Sequence, residues 1–330
     1  MIFGAIPARE AVGAILAHSM MAASGRVQKG THLNTSHIED LIAGGHETVV
    51  VARLEPGDVD ENAAAARVAQ AIAPNADDQN LRISAAGAGR VNLYTTAPGV
   101  VEIAVDKVAA LNALDPMITL ATVPEYHRVD AGTMVATIKI ISYAVSETVL
   151  EEACRQVDYA MFVADPIFQS ATLIETRVGD VIPPDKGRSA MVGRMDRLGL
   201  TMTDRVVVPH KSADIAAALH DAPGQVLFVL TASATSDAMD VAPQAVRDAG
   251  GRIEAYGMPV DPGNLLFLGW LKDRPVIGLP GCARSLALNG ADWVLERVIC
   301  DVSVTRADIA AMGVGGLLKE IPTRPRPRAT

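Results

Sequence analysis

Along the first half of the chain, short apolar stretches alternate with polar breaks and follow no single rhythm. Positions 8–21 are apolar on one face at helical spacing and predict a helix. Gly30 and Thr31 mark a turn, and Thr35 or Ser36 begins a helix that runs to Ala43 and stops at Gly44-Gly45. The β-branched run 48–53 predicts a strand, 55–58 a turn, and 60–73 an Ala-rich helix with acidic residues in its first turn. After the polar break 74–80, strands are expected at 81–85, 91–95, 100–105, 117–123 and 134–141, with a short helix at 108–113 and another at 146–155. This stretch has no sustained strand–helix–strand rhythm and reads as α+β.

From about position 158 the rhythm changes. Strands at 171–176, 205–208, 225–230, 252–258 and 276–279 are interleaved with helices at 187–198, 212–222, 238–249 and 286–298. Such alternation predicts an α/β domain, a three-layer and mostly parallel sheet with helices on both faces. The chain is therefore expected to hold a smaller α+β region over 1–157, an α/β domain over 158–318, and a Pro/Arg-rich tail or linker over 319–330. Mostly parallel sheets place their ligands in loops beyond the carboxyl ends of the strands.

Composition narrows the function. With 330 residues, 49% hydrophobic and 20% charged, the chain suits two domains with their own cores, built mostly from aliphatic residues because aromatics are 4%. A net charge of −9 argues against binding nucleic acid by coating phosphates with Lys and Arg. It does not argue against a small anion, which backbone N–H groups and one Arg can hold. Three scattered cysteines fit a reducing compartment, and Arg9 and Glu10 interrupt any apolar leader. No apolar run reaches membrane length, so a cytoplasmic, non-membrane protein is expected.

Three loops carry candidate chemistry. The strand ending at Leu230 opens into Thr231-Ala-Ser233-Ala-Thr235-Ser236-Asp237 and then a helix. Small side chains let backbone amides approach a ligand, the hydroxyls donate to phosphate or other ligand oxygens, and Asp237 and Asp240 stand where a divalent cation bridges to a phosphate. The same Ser, Thr and Asp residues also serve as an ordinary helix cap. Downstream, Pro280-Gly281-Cys282-Ala283-Arg284-Ser285 follows a strand and precedes a helix, with Arg284 as a fork-shaped phosphate donor or a plain surface residue. Between them Asp261-Pro262-Gly263-Asn264 is a turn by composition. Cys282 has no identifiable His partner and reads as a small, partly buried thiol. The seven histidines show no zinc spacing, and His18, His127 and His210 read as ordinary polar residues.

Taken together, these loops resemble the molybdopterin-binding domain shared by the molybdenumtransferase (MoeA-like) and adenylyltransferase (MogA-like) families. Thr231 and Asp240 are the first and last residues of that family's T-G-G-x-S-x-G-x-x-D loop, with Thr235 in place of its Ser. Pro262-Gly263 corresponds to its P-G turn, Leu279-Pro280-Gly281 to its L-P-G-N-P, and Asp185-Lys-Gly187 stands where it has Asp-Ser-Asn. Departures are Ala232-Ser233 for the double Gly, Asp237 for the next Gly, Cys282-Ala283 for N-P, and Asp261 and Asn264 where lysines usually flank P-G. The pattern is similar to a divergent subgroup often fused to a molybdenum cofactor nucleotidyltransferase. Gly30-Thr31 resembles, more weakly, the start of a MoeA-type protein, whereas the middle region lacks that family's T-G-A stretch.

The resemblance implies a homodimer that binds molybdopterin, or a nucleotidylated form, through Asp185, Thr231, Ser233, Thr235, Ser236, Asp261, Pro262, Gly263, Asn264, Pro280, Gly281, Cys282, Arg284 and Ser285. It implies Asp237 and Asp240 as catalytic or metal-holding carboxylates, with Mg2+ and molybdate as accessory species and a nucleotidyltransferase as partner. Loss of the Gly and Lys residues keeps open a non-catalytic carrier of the cofactor, and the strand–helix rhythm keeps open an unrelated doubly wound nucleotide-binding enzyme.

Overall fold

A computed structural model describes residues 1–318; the expected tail over 319–330 lies outside the described residues. The protein is a mixed α/β molecule with several sheets. It divides into two compact units, the first made of Met1–Ala97 and Val101–Val163, the second of Pro98–Val100 and the residues from Ala164 onward.

In the first unit the strand Thr48–Arg53 pairs along its whole length with Ile2–Pro7, and on its other side with Ile15–Leu16, both antiparallel. The helix expected over 8–21 does not form. Ala8, Ala11, Ala14 and Ile15 are buried at helix-like spacing. Only Ala8–Glu10 makes a 3-10 turn, and the backbone beyond it hydrogen-bonds outward, Gly13 N–H to Leu33 O, Leu16 N–H to Thr31 O and Ala17 N–H to Val50 O. Long-range backbone partners thus replace the helical ladder that the apolar spacing mimics. A helix does run over Thr35–Ala43, capped by the Asn34 side chain, which accepts from His37 N–H.

Elsewhere in this unit the helix Glu61–Ile72 packs on a four-stranded antiparallel sheet in the order Ile118–Thr122, Met134–Ile140, Arg90–Thr95, Leu81–Ile83. Ala64, Ala65, Val68, Ala69 and Ile72 form one buried stripe at i, i+1, i+4, i+5 and i+8, and Val91, Leu93 and Ile138 belong to the same core. The Asp60 carboxylate starts this helix by accepting from Asn62 and Ala63 N–H.

The second unit is built on a seven-stranded sheet. Ser170–Arg177 pairs in parallel with Thr201–Met202, Val206–Pro209 and Val226–Leu230, and Val226–Leu230 pairs in parallel with Arg274–Gly278. Two antiparallel pairings then add Phe267–Leu271 and Arg252–Tyr256. The pattern did not predict Phe267–Leu271. Its hairpin loop, Lys272-Asp273, lacks the Asn-Gly or Asp-Gly signal, and Lys272 takes a left-handed φ of 56° itself.

Val226–Leu230 is buried at every position, as a strand flanked on both sides in a parallel sheet must be. Leu227 and Val229 pack with the helices Ser212–Asp221 and Val241–Asp248 on one face. On the other face Leu230 meets the start of the helix Lys186–Asp196. A Cβ on Gly187 would lie 2.8 Å from Leu230 Cδ2, so a larger residue there would have to move the leucine methyl aside. The last long helix begins at Gly290, four residues later than expected; Leu286 and Leu288 are exposed, and the buried Asn289 caps the helix by accepting from Ala291 N–H.

Phe228 is wholly buried in the central strand. Replacing it with Ala is expected to cost about 3–5 kcal/mol, measured as a lower midpoint of urea unfolding with the slope unchanged.

Candidate functional site

Because two successive antiparallel pairings restore direction, Arg252–Tyr256 runs the same way as the parallel strands. The register places Tyr256 beside Phe267, Phe267 beside Gly278, Gly278 beside Val229, and Leu230 beside Glu175. The loops that follow Arg177, Pro209, Leu230, Tyr256 and Gly278 therefore all leave the sheet at one rim, the carboxyl edge where such sheets hold ligands.

Side-chain bonds tie several of these loops together. The Arg284 guanidinium donates through Nη2 to Thr231 O at 2.6 Å, joining the loop after Gly278 to the loop after Leu230. Gly187 completes the cluster, since a Cβ there would also lie 3.5 Å from Arg284 Cγ and 3.4 Å from Glu175 Oε1. Thr231 and Thr235 are both buried, with their hydroxyl oxygens 3.3 Å apart. Tyr256 OH donates to Thr235 O at 2.9 Å. Burial pushes the Tyr256 phenol up, and the charges of Asp237 and Asp240 push it further, so it stays a donor.

The two aspartates are engaged by their own loop. Asp240 accepts from Val241 N–H at 2.7 Å through one oxygen and from Ser236 N–H at 2.9 Å through the other; Asp237 accepts from Met239 N–H at 2.7 Å. Asp240 caps the helix Val241–Asp248, and Asp237 closes a turn just before it. Among the described residues no group of three or more His, Cys, Asp or Glu side chains is placed to hold a metal ion. Ser233 and Ser236 are exposed, and the Ser236 hydroxyl reaches back to Ala234 O.

At the helix start Lys186–Asp196, Asp185 is exposed, accepts from the Ser189 hydroxyl at 3.0 Å, and lies 3.7 Å from Arg205. Arg205 in turn pairs with the buried Glu175 at 2.8 Å and donates to Pro183 O at 2.6 Å, holding the loop before that helix to the strand end. In the loop after Gly278, Pro280 is buried, Gly281 and Ser285 are exposed, and Ser285 Oγ accepts from Ala287 N–H. Cys282 is half-buried, and desolvation raises its thiol pKa, with Asp261 and Asp292 adding to the rise and Arg194 opposing it. That environment disfavours a thiolate nucleophile.

Hydrogen bonds of the fourth loop run elsewhere. Gly290 N–H donates to Pro262 O, and a Cβ on Gly263 would lie 2.7 Å from Gly290 N, so the Pro-Gly turn is packed against a helix start. The Asp261 backbone pairs with Gly316 and Leu318, and Asn264 O accepts from Met258 N–H. Of this loop, Asp261 and Asn264 are exposed, and Asp261 is close enough to Cys282 for its charge to be felt there.

A family model described as a domain of unknown function (DUF8806) matches residues 5–53. No curated protein matches the chain. Among solved structures, the chain is similar to the molybdopterin biosynthesis MoeA protein from Pyrococcus horikoshii, at 12% identity and a TM-score of 0.33 over 91% of this chain and 75% of that one. A second structure of a MoeA protein, from Pyrococcus horikoshii OT3, gives 9% identity and a TM-score of 0.27 over 91% and 74%. The matched family segment lies in the first unit, away from every rim residue in the sequence.

The most consequential rim residues are ones the sequence reading passed over. Arg194 and Asp292, each with a side chain only 2% exposed, pair at 2.5 Å. Arg194 also donates to Ala283 O, Ser285 O and Ala287 O, so it gathers the backbone of the loop that carries Arg284. The spacing of Asn289 and Asp292 marks a capping box, and Arg194 shows only as a charged residue on an otherwise apolar helix face; neither signal pairs the two. Thr176 and His210 are the other pair missed; they stand at adjacent strand ends, and only register brings them together. A cavity of about 690 Å³ opens in the first unit, lined by Phe3, His18, Tyr143 and neighbours, and none of the candidate residues borders it.

Asp292→Asn is expected to cost about 3–5 kcal/mol by leaving Arg194 buried without its counter-charge, and to speed amide exchange across 281–289; the double change Arg194→Met, Asp292→Leu should recover much of that stability. Alkylation of Cys282, followed by mass spectrometry, should be slower at pH 7 than that of a free thiol and still be rising past its ordinary value of 9.0.

Proposed function

We propose that the second unit binds molybdopterin, or a nucleotidylated form of it, at the carboxyl rim of its sheet. The reading takes the unit as a three-layer, mostly parallel α/β domain. What carries it is the bond from Arg284 to Thr231 O, which draws together two loops that the sequence resemblance marks as cofactor-binding. Arg284 spends only part of its five-donor fork on that carbonyl and on Gly281 O, and the remainder suits a phosphate. Exposed Ser233, Ser236 and Ser285, with the amides around Gly281, suit the polar edge of a pterin.

Between the transferase and the carrier, one observation favours the carrier: both oxygens of Asp240 accept backbone amides of their own loop. A carboxylate so employed already serves as a cap and has fewer lone pairs left to offer a Mg2+ ion. The carrier would present the cofactor to a nucleotidyltransferase or a target enzyme, and a homodimer is the assembly proposed for it.

Mass spectrometry of ligand carried through purification, or fluorescence titration with molybdopterin, tests the reading. Arg284→Ala is expected to weaken molybdopterin at least tenfold and to cost about 1–3 kcal/mol of stability through the lost bond to Thr231 O. Binding of nucleotide but not of pterin would overturn the proposal. Incubation with molybdopterin, ATP, Mg2+ and molybdate separates the two roles: no turnover supports the carrier, and turnover abolished by Asp240→Asn supports the transferase.

A further inference from the structure

We infer that His210 is a ligand-contacting residue of the rim, offering its Nε2–H to an anionic oxygen of the bound molecule. The inference rests on the rim being the site for a phosphate-bearing ligand, and it adds a donor that neither the sequence pattern nor the loop resemblance supplies.

His210 directly follows the strand Val206–Pro209, and its N–H donates to Arg177 O, so the backbone is held at the carboxyl edge beside Ser170–Arg177. Its ring nitrogen Nδ1 lies 3.0 Å from Thr176 Oγ1. Thr176 is wholly buried, and its hydroxyl oxygen already accepts from Ala232 N–H at 2.7 Å. A hydroxyl buried this completely places its own proton on a neighbouring acceptor. Among the described residues His210 Nδ1 is the one its geometry reaches.

The hydroxyl therefore donates to Nδ1, which must be unprotonated in the neutral ring. The ring proton then sits on Nε2, which has no hydrogen-bond partner among the described residues and belongs to a half-exposed side chain. Thr176 thus does two things with one oxygen. It anchors the first amide of the hydroxyl-rich loop after Thr231, and it fixes the imidazole in the tautomer that donates outward. The donor so produced stands on the same edge of the sheet as the loop that begins at Ala232, with the strand Ser170–Arg177 between them. An imidazole donor there suits a phosphate oxygen and disfavours a cation, which would need the opposite tautomer.

Two measurements test this. Long-range 1H–15N correlation spectra of the protein should show His210 protonated on Nε2 when neutral, and Thr176→Val should remove that preference; a ring protonated on Nδ1 in the unaltered protein overturns the inference. Calorimetric titration with inorganic phosphate, and fluorescence titration with molybdopterin, should show His210→Ala about tenfold weaker, with His210→Gln, which restores an N–H, recovering most of the loss. Equal affinity of His210→Ala and the unaltered protein, at an unchanged melting temperature, overturns the role of His210 and leaves the rim reading standing. Absence of both phosphate and molybdopterin binding in the unaltered protein overturns the rim reading and this inference with it.

Discussion

A guanidinium shut away from water needs a counter-charge and enough acceptors for its five N–H groups, and at Arg194 the backbone of one loop supplies most of them. Asp292 gives the charge; Ala190, Ala283, Ser285 and Ala287 give carbonyl oxygens. Asp292 in turn accepts from Asn289 N–H, and Asn289 caps the helix that Asp292 stands in. The loop 281–289 has no regular ladder of its own beyond a 3-10 turn, so its shape is set by this buried ion pair. Arg284 is placed against Thr231 because Arg194 has already placed the residues around it.

The same economy recurs along the rim. Buried polar residues each hold a neighbouring group: Glu175 holds Arg205 and through it Pro183, Thr176 holds Ala232 and His210, and Thr235 holds the Tyr256 hydroxyl through its carbonyl. Burial makes each of these bonds costly to lose, because a stranded donor or acceptor finds no water. Irregular loops are thereby kept in one arrangement next to a rigid sheet, as a binding site requires.

Where side-chain periodicity and local chemistry agree with the environment, the sequence reads true. The helix Glu61–Ile72 announces itself by its Ala-rich stripe and acidic start, and Val226–Leu230 by a short, unbroken apolar run between a Gly-containing turn and a hydroxyl-rich loop. The loops at 231–240 and 280–285 stood out because small, hydroxylated and glycine residues cluster there after a strand. The reading failed where partners far along the chain decide. Residues 8–21 carry helix-like spacing, yet Val50, Thr31 and Leu33 claim their backbone groups. Phe267–Leu271 is a strand only because Arg274–Gly278 and Arg252–Tyr256 lie on either side of it, and its tight Lys-Asp turn lacks the usual residues.

Amino-acid order alone determined the alternation of strands and helices in the second half, the loops rich in small residues, and the absence of zinc-ligand spacing, because each is a property of neighbours within a few positions. The tertiary structure decided which of those loops meet. Register put Gly278 beside Val229 and Glu175 beside Leu230, and that register, not any local pattern, set Thr176 against His210 and Arg284 against Thr231. It also turned Asp237 and Asp240 inward on their own loop and the Pro262-Gly263 turn onto Gly290. Hydrogen-bond acceptors are chosen by proximity in space, and sequence spacing carries that information only within a single turn or helix.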